Sequence, residues 1–195
     1  MINAGYKDKA RVIDILSQSF DDNQSVNYII PQDKRRKKRI RSLMAYSFDV
    51  CYHYGKIFLT EDKNSCALLL LPGQKKSFLR SAWLDVRLLF TAVGIRNTGK
   101  VLNRESAIKQ LQPIEPMYYL WFIGVDPAHQ HKQIGSALLR EIISECTPGN
   151  SMMCLETSTV NNLPWYRKFG FTVYSELDLG YTLYFLKRKE QVKHL

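Results

Sequence analysis

The feature that most restricts the fold of this chain is a strand followed at once by a short polar loop and a helix. Met117 to Val125 consists mostly of aromatic and branched residues, a composition typical of a strand. Asp126-Pro127 ends the strand, and from Gly135 to Cys146 the apolar residues have the spacing of one helix face. Such a loop places successive backbone N–H groups at the N-terminus of the helix, where they stabilise a negative charge.

The rest of the chain alternates between helices and strands. The sequence predicts a mixed α/β fold with a mostly antiparallel sheet flanked by helices, in a single domain of residues 1–195. Apolar spacing predicts helices over Asp8–Phe20, Asp33–Cys51, Leu79–Phe90, Thr98–Gln110 and Leu163–Phe169. Strand composition and turn residues predict strands over Lys56–Thr60, Ser65–Leu71, Met152–Thr157, Phe171–Tyr174 and Tyr181–Leu186.

Composition restricts the partners and the location. A formal net charge of +10 favours an anionic partner, which can be nucleic acid, an acidic membrane surface or a phosphate-rich cofactor. The four cysteines are scattered, without C-x-x-C spacing or a nearby His, so we expect reduced thiols, no metal site and a cytoplasmic location. The longest apolar run, Cys66 to Leu71, is too short to span a bilayer, so no membrane role is expected.

The segment from Gly124 to Leu139, GVDPAHQHKQIGSALL, resembles the pyrophosphate loop of the GNAT N-acetyltransferases. In that family the pattern Gln/Arg-x-x-Gly-x-Gly/Ala lies between a strand and a helix, and its amides hold the pyrophosphate of coenzyme A. The resemblance therefore implies the GNAT fold and acetyl-CoA as the acyl donor. It implies that the cofactor-binding residues are Ile123, Gly124, Val125, Gln130, His131, Lys132, Gln133, Ile134, Gly135, Ser136, Ala137, Asn161 and Asn162.

Two loop positions depart from the family pattern. Gln133 and His131 stand where the family often has glycine. A side chain at Gln133 either crowds the pyrophosphate, or demands a backbone angle that glycine adopts most easily, or is accommodated by a backbone in the ordinary helical region.

A second motif follows the first in the order expected for the family. Residues 155–171, LETSTVNNLPWYRKFGF, resemble the GNAT segment in which a strand leads to an Asn, a short helix with an aromatic-Tyr pair, and Gly-Phe. The form of this motif is similar to that of puromycin N-acetyltransferase-like proteins. The two motifs together cover roughly residues 117–174, and their joint occurrence is far more specific than either motif alone.

The resemblance also assigns catalytic roles. Tyr166 corresponds to the general acid that protonates the departing thiolate of coenzyme A, and a neutral tyrosine suits that role at neutral pH. Glu156 is the carboxylate best placed to act as general base, although it is also the kind of residue that forms a structural ion pair. A backbone N–H near Ile123 is expected to meet the thioester carbonyl on a splayed strand. The reaction implied is direct, sequential transfer to a primary amine of a small molecule.

Other interpretations remain open. One alternative is a protein of the same fold that still binds an acyl-CoA but has lost efficient turnover, as Gln133 suggests. The basic residues of segment 34–41 can bind nucleic acid, although a solvated helix face is the simpler explanation. With regular alternation, Tyr119 and Trp121 share one face of their strand and Tyr118 and Phe122 share the other, and one pair can line the acceptor pocket. The sequence leaves a homodimer open.

Overall fold

The computed structural model describes residues 1–71, 88–94, 97–146 and 151–189. None of the helices in these ranges is long and apolar enough to cross a lipid bilayer. The α-helices are α1 Lys9–Ser19, α2 Gln24–Ile29, α3 Arg36–Tyr54, α4 Thr98–Leu111, α5 Ile134–Cys146 and α6 Leu163–Lys168. The strands are β1 Ile2–Asn3, β2 Gly55–Leu59, β3 Ser65–Leu70, β4 Met117–Val125, β5 Met152–Thr157, β6 Thr172–Asp178 and β7 Thr182–Arg188.

The strands form one seven-stranded sheet in the order β1-β2-β3-β4-β5-β7-β6. Strands β4 and β5 are parallel, and all the other neighbouring pairs are antiparallel. This confirms the predicted mixed fold and the predicted β2–β3 hairpin. The parallel pair requires a crossover, which α5 supplies between the two strands.

Helices cover both faces of the sheet. Helices α1 and α3 pack on β2, β3 and β4 through residues such as Leu16 and Phe48. On the same side, Ile108 of α4 packs against Phe185 of β7. We call this side the α1 face. Helices α5 and α6 cover the opposite side, the α5 face, where Ile142 belongs to a second large apolar cluster.

Most of the predicted helices are confirmed, with differences in detail. For α1, apolar spacing predicted a buried stripe of Ala10, Ile13, Leu16 and Phe20; the structure fully buries Leu16 together with Val12 and Ile15, whereas Ala10 is exposed. Neither β1 nor α2 was predicted, because each is shorter than the windows in which periodicity becomes visible. The helix predicted over residues 79–90 lies largely outside the described residues, which contain a π-helical turn at Leu89–Val93.

The basic run at the start of α3 is partly used inside the protein. Arg36 donates to the Asp21 carboxylate at 2.7 Å, and Arg39 donates to Asp33 at 3.1 Å. Arg41 pairs with Asp14 of α1 at 2.5 Å. Three of the basic side chains therefore tie α3 to neighbouring segments. This finding corrects the expectation of a purely solvated face. The remaining side chains of the run are exposed: Lys34, Arg35, Lys37 and Lys38.

Helix α1 lies directly against the end of β4. The backbone of Gly124 is so close to α1 that a Cβ atom there would lie 2.9 Å from Ser19 Oγ and 3.0 Å from Leu16 Cδ2. The Ser19 hydroxyl is 2.9 Å from the carbonyl oxygen of Val125. The absence of a side chain at position 124 therefore allows α1 to support the strand that leads into the polar loop.

We expect Gly124→Ala to lower the free energy of unfolding by about 1–3 kcal/mol, because the added methyl overpacks the α1–β4 contact. Urea unfolding measures this loss. Gly99→Ala is the matched control: no atom lies within 4 Å of a Cβ built there, and Gly99 is in α4. Alanine at this helical position should stabilise the protein by about 0.5–1 kcal/mol. Equal effects of the two substitutions would contradict the packing argument.

Candidate active site

The two parallel strands pair over only part of their length. Their register runs from Met117–Met152 to Leu120–Leu155. Past this point β4 continues beside β3 to Val125, whereas β5 continues beside β7 to Thr157. The strands therefore diverge toward their C-terminal ends, and no strand of the described ranges pairs there with the edge of β4 that faces β5.

A β-bulge lies at the point of divergence. Leu69 of β3 pairs with Leu120, whereas the preceding residue, Leu68, pairs with Phe122. Trp121 is therefore the extra residue of β4. A bulge bends its strand and increases the local twist, which turns the end of β4 away from β5.

The bulge also changes which side chains share a face. Tyr119 and Trp121 share one face of the strand, as predicted, and this is the α1 face. Phe122 was predicted to lie on the opposite face with Tyr118, and this is wrong. The extra residue shifts the alternation by one, so Phe122 also enters the α1-face core, with its ring centroid 5.0 Å from that of Phe20.

Hydrogen bonds and an ion pair fix the start of the polar loop. The carboxylate of Asp126 accepts from the N–H of Ala128 at 3.0 Å and from Arg11 Nη2 of α1 at 2.8 Å. The N–H of Asp126 donates to the carbonyl of Asn64 at 2.8 Å. The N–H of Ala128, followed by the Arg11 guanidinium, lowers the pKa of Asp126, which favours its charged form.

The middle of the loop curls through two left-handed residues. His131 has a φ of 62° and Gln133 a φ of 60°, and both side chains are exposed. An ordinary helical backbone at Gln133, one of the alternatives considered above, is therefore wrong. A residue with a Cβ atom in this region costs roughly 1–2 kcal/mol. The loop keeps a glycine-like path without the glycines that usually permit it.

The first turn of α5 is held by contacts to two other elements. The carbonyl of Gln133 accepts from the N–H of Ala137 at 2.9 Å and so begins the helix. A Cβ atom on Gly135 would lie 3.1 Å from Val125 Cγ2, so this glycine permits close packing on β4. Ser136 Oγ accepts from the indole N–H of Trp165 at 2.9 Å, which joins α5 to α6. The N-terminal N–H groups of an α-helix lack partners within the helix and form an anion-binding site.

The two candidate asparagines lie just before α6. They end a 3-10 turn, Val160–Asn162, in which the N–H of Asn162 donates to the carbonyl of Thr159 at 2.9 Å. Both Asn161 and Asn162 are exposed and follow the end of β5. Their side chains are therefore accessible at the open side of the diverging strands, and their role in binding stays a prediction.

Tyr166 lies in the core of the α5 face. Its side chain is buried, and its ring makes an edge contact with Phe171 at a centroid distance of 5.8 Å. The ring of Trp165 is 4.7 Å away. Burial raises the pKa of Tyr166 above its ordinary value. The phenol is therefore neutral over the physiological range and can act as a proton donor but not as a base.

Glu156 lies on the opposite face of the sheet, near the end of β5. Its carboxylate accepts from the Tyr119 hydroxyl at 2.8 Å and from the Gln112 side-chain amide at 3.2 Å. Burial raises the pKa of Glu156 above its ordinary value, while these hydrogen bonds and the charge of Arg104 oppose the rise. Sequence reasoning missed Gln112 and Arg104, because Arg104 belongs to α4 and Gln112 directly follows it, and no local motif marks either residue.

Arg104 joins the elements that border this face of the cleft. Its Nη2 lies 2.5 Å from Ser25 Oγ of α2, and its Nε donates to the Tyr181 hydroxyl at 3.3 Å. The Tyr181 hydroxyl is in turn 3.3 Å from Ser25 Oγ. This cluster fixes α2 and the start of β7 relative to α4.

A polar cavity of about 360 Å³ opens where β5 ends. Its residues come from the α1–α2 connection, the start of α2, the β5–α6 connection and β7. Sequence reasoning missed all of them except Asn161, because they are scattered along the chain and meet only in the folded protein. The lining consists of Asp22, Gln24, Ser158, Thr159, Val160, Asn161, Thr182 and Tyr184.

A family comparison agrees with this geometry. Residues 93–173 match the family model described as acetyltransferase (GNAT) domain. The matched segment contains β4, the curled loop, α5, β5 and α6. It therefore includes every residue to which sequence analysis assigned catalysis or cofactor binding.

Solved structures of low sequence identity share the fold of the chain. A protein from Corynebacterium glutamicum described as histone acetyltransferase HPA2 and related acetyltransferase has a TM-score of 0.70 at 16% identity, over 100% of this chain and 97% of its own. Mosquito arylalkylamine N-acetyltransferase like 5b has a TM-score of 0.59 at 13% identity, over 96% of this chain and 98% of its own. An N-acetyltransferase from Staphylococcus aureus has a TM-score of 0.56 at 17% identity, over 95% of this chain and 97% of its own. The chain has the GNAT acetyltransferase fold.

We expect Gln133→Gly to raise the free energy of unfolding by about 1 kcal/mol, because glycine removes the cost of the left-handed backbone. Lys132→Gly is the matched control. Lys132 lies between the two left-handed residues but is not itself one of them, so glycine there should destabilise by about 0.5–1 kcal/mol. Thermal unfolding of the two variants measures both effects. A loss of stability in Gln133→Gly would show that the side chain outweighs the backbone strain.

Proposed function

We propose that this protein is an N-acetyltransferase of the GNAT superfamily that moves an acetyl group from acetyl-CoA to the primary amine of a small molecule. The observation that carries the proposal is the divergence of β4 from β5, with β4 leading into a curled loop at the N-terminus of α5. Within the superfamily, we infer a relation to puromycin N-acetyltransferase-like proteins from the motif form of residues 155–171.

The loop fits the anionic part of the donor. From Asp126 to Ala137 the only carboxylate is that of Asp126, and it is already held by Arg11 and a backbone N–H. Lys132 is exposed between the two left-handed residues and adds a positive charge beside the amides of the first helical turn. Amides, helix dipole and lysine thus favour a pyrophosphate at this end of α5.

Tyr166 would act as the general acid. When bound, acetyl-CoA supplies a thioester whose carbonyl carbon the amine attacks and whose thiolate departs. Tyr166 would give its phenolic proton to that sulfur, since a phenol is neutral at physiological pH and carries the proton beforehand. The phenol lies on the α5 face together with the loop and α6, which is the side inferred for the donor.

Glu156 would act as the general base from the other face of the sheet. An amine is mostly ammonium at neutral pH, so a proton must leave before attack. A carboxylate with a raised pKa is a more effective base near neutrality than an exposed one. The hydrogen bonds from Tyr119 and Gln112 orient its two oxygens, so it can receive the proton directly or through water.

The cysteines support direct transfer without a covalent enzyme intermediate. All four are buried, and none of them forms a disulfide within the described part of the chain. Burial raises the pKa of Cys146 to about 11 and that of Cys154 to about 12, and it raises the pKa of Cys66 further. A thiolate nucleophile at neutral pH is therefore disfavoured at these positions.

A second candidate function is an acyl-CoA-binding protein with little or no turnover. It is favoured by the side chains of His131 and Gln133, which occupy left-handed positions in the loop where glycine is most easily accommodated. The third candidate is nucleic-acid binding by the basic residues of segment 34–41. It is less favoured, because Arg36, Arg39 and Arg41 form ion pairs within the protein.

We expect acetyl-CoA to raise the melting temperature and an amine panel to elicit thiol release, with Tyr166→Phe lowering kcat by at least about 100-fold. The affinity for acetyl-CoA, measured by calorimetry, should be unchanged in Tyr166→Phe. Tyr174→Phe is the matched control, because it removes the hydroxyl of another tyrosine whose pKa burial raises, on β6. Its kcat should stay near that of the wild type.

Two results would speak against the proposed enzyme. Absence of both heat and thermal stabilisation with acetyl-CoA would remove the donor and with it the whole proposal. Binding of acetyl-CoA without thiol release for any amine would instead favour the second candidate function.

We expect kcat/KM of the wild type to fall as the pH drops through the pKa of Glu156, which lies above the ordinary range of a glutamate. Glu156→Gln should lower kcat/KM and abolish this fall at low pH, which is the acidic limb of the pH profile. Tyr119→Phe should move the limb to higher pH, because it removes a hydrogen bond that lowers the pKa. Glu176→Gln, an exposed substitution on β6, is the control. An unchanged limb in Glu156→Gln would exclude Glu156 as the base.

A further inference from the structure

The polar cavity at the end of β5 has a composition that selects among amines. Six of the eight side chains that line it are polar or charged and not aromatic: Asp22, Gln24, Ser158, Thr159, Asn161 and Thr182. Val160 and Tyr184 complete the lining. A lining of this kind packs poorly against a flat aromatic ring, and it forms hydrogen bonds readily with hydroxyl, amide or ammonium groups.

The charge of the cavity is opposite to that of the chain. The chain has a formal net charge of +10, yet the described residues that line the cavity include one carboxylate, Asp22, and neither Lys nor Arg. The neighbouring Asp21 is neutralised by Arg36 at 2.7 Å. No ion pair involving Asp22 occurs among the described residues, and its side chain is exposed. The cavity therefore presents an unpaired negative charge.

The position of the cavity connects it to the transfer site. Ser158 and Thr159 directly follow β5, which has by then separated from β4. The N–H of Ser25, next to Gln24, is 3.4 Å from Ser158 Oγ, so α2 closes onto the end of the strand. A molecule in the cavity would thus lie beside the gap between the two diverging strands, with Asp22 on the α1–α2 connection.

We propose that this cavity binds the acceptor as a small hydrophilic diamine, with one amine at the gap and a second, cationic amine at Asp22. The proposal rests on the transferase function proposed above and names its acceptor class. The transfer itself is unchanged: the free amine forms the C–N bond, the C–S bond breaks, and the second amine keeps its proton and its charge.

The test compares a diamine with a hydroxylated monoamine and an aromatic monoamine. Putrescine carries two amines on a four-carbon chain, aminobutanol replaces one of them with a neutral hydroxyl, and phenethylamine carries one amine and an aromatic ring on a two-carbon chain. With acetyl-CoA held constant, we expect kcat/KM to be highest for putrescine and lowest for phenethylamine. Asp22→Asn should lower kcat/KM for putrescine by about three- to five-fold, the size expected of an exposed ion pair. The kcat/KM for aminobutanol should stay nearly unchanged.

Glu61→Gln serves as the charge-matched control. It also removes one exposed carboxylate, but in the turn between β2 and β3, away from the cavity lining. Glu61→Gln should leave the ratio of kcat/KM for putrescine to kcat/KM for aminobutanol at the wild-type value. The Asp22 effect should also shrink as salt is added, because an exposed pair is screened.

A binding measurement separates this inference from the proposed enzyme. Saturation-transfer NMR of putrescine and aminobutanol on the wild type and Asp22→Asn reports affinity without turnover. Stronger binding of putrescine that depends on Asp22, with no thiol release, would support the cavity assignment and reject the transferase. Preference for phenethylamine, or a putrescine-to-aminobutanol ratio that Asp22→Asn leaves unchanged, would overturn the assignment even if acetyl transfer occurs.

Discussion

The site depends on a loss of hydrogen bonding between two adjacent parallel strands. β4 and β5 pair up to Leu120–Leu155, and the bulge at Trp121 then turns β4 away. Each strand keeps its outer neighbour, so the sheet stays continuous on both sides of the gap while one edge of β4 is left open inside the molecule. An inner strand edge of this kind offers main-chain groups to a ligand.

The N-terminal helix supports this opening from outside the matched motif region. Arg11 of α1 holds Asp126 at the start of the curled loop, and Ser19 of the same helix reaches the carbonyl of Val125. Gly124 allows the helix to approach that closely. The loop thus takes its left-handed path between fixed ends, which explains how His131 and Gln133 hold angles that they disfavour on their own.

The sequence predicted the part of the molecule whose function depends on local structure. A strand, loop and helix in immediate succession are visible as composition and spacing, so β4, α5 and the loop between them were placed within a residue or two. The bulge was not predicted, because Trp121 fits a regular strand as well as a bulged one. The partners of Glu156 and the residues of the polar cavity were not predicted either, because segments distant in sequence bring them together. The division of the chain into one domain stays a prediction.

The sheet separates the two halves of the proposed chemistry. Tyr166 and the curled loop belong to the α5 face, whereas Glu156, Arg104 and Tyr119 belong to the α1 face. Each set is held by different helices, and only the gap between β4 and β5 connects them. In the proposed transferase, acceptor selectivity would therefore follow substitutions in α2 and α4, which pack on the α1 face, while a separate layer holds the donor side.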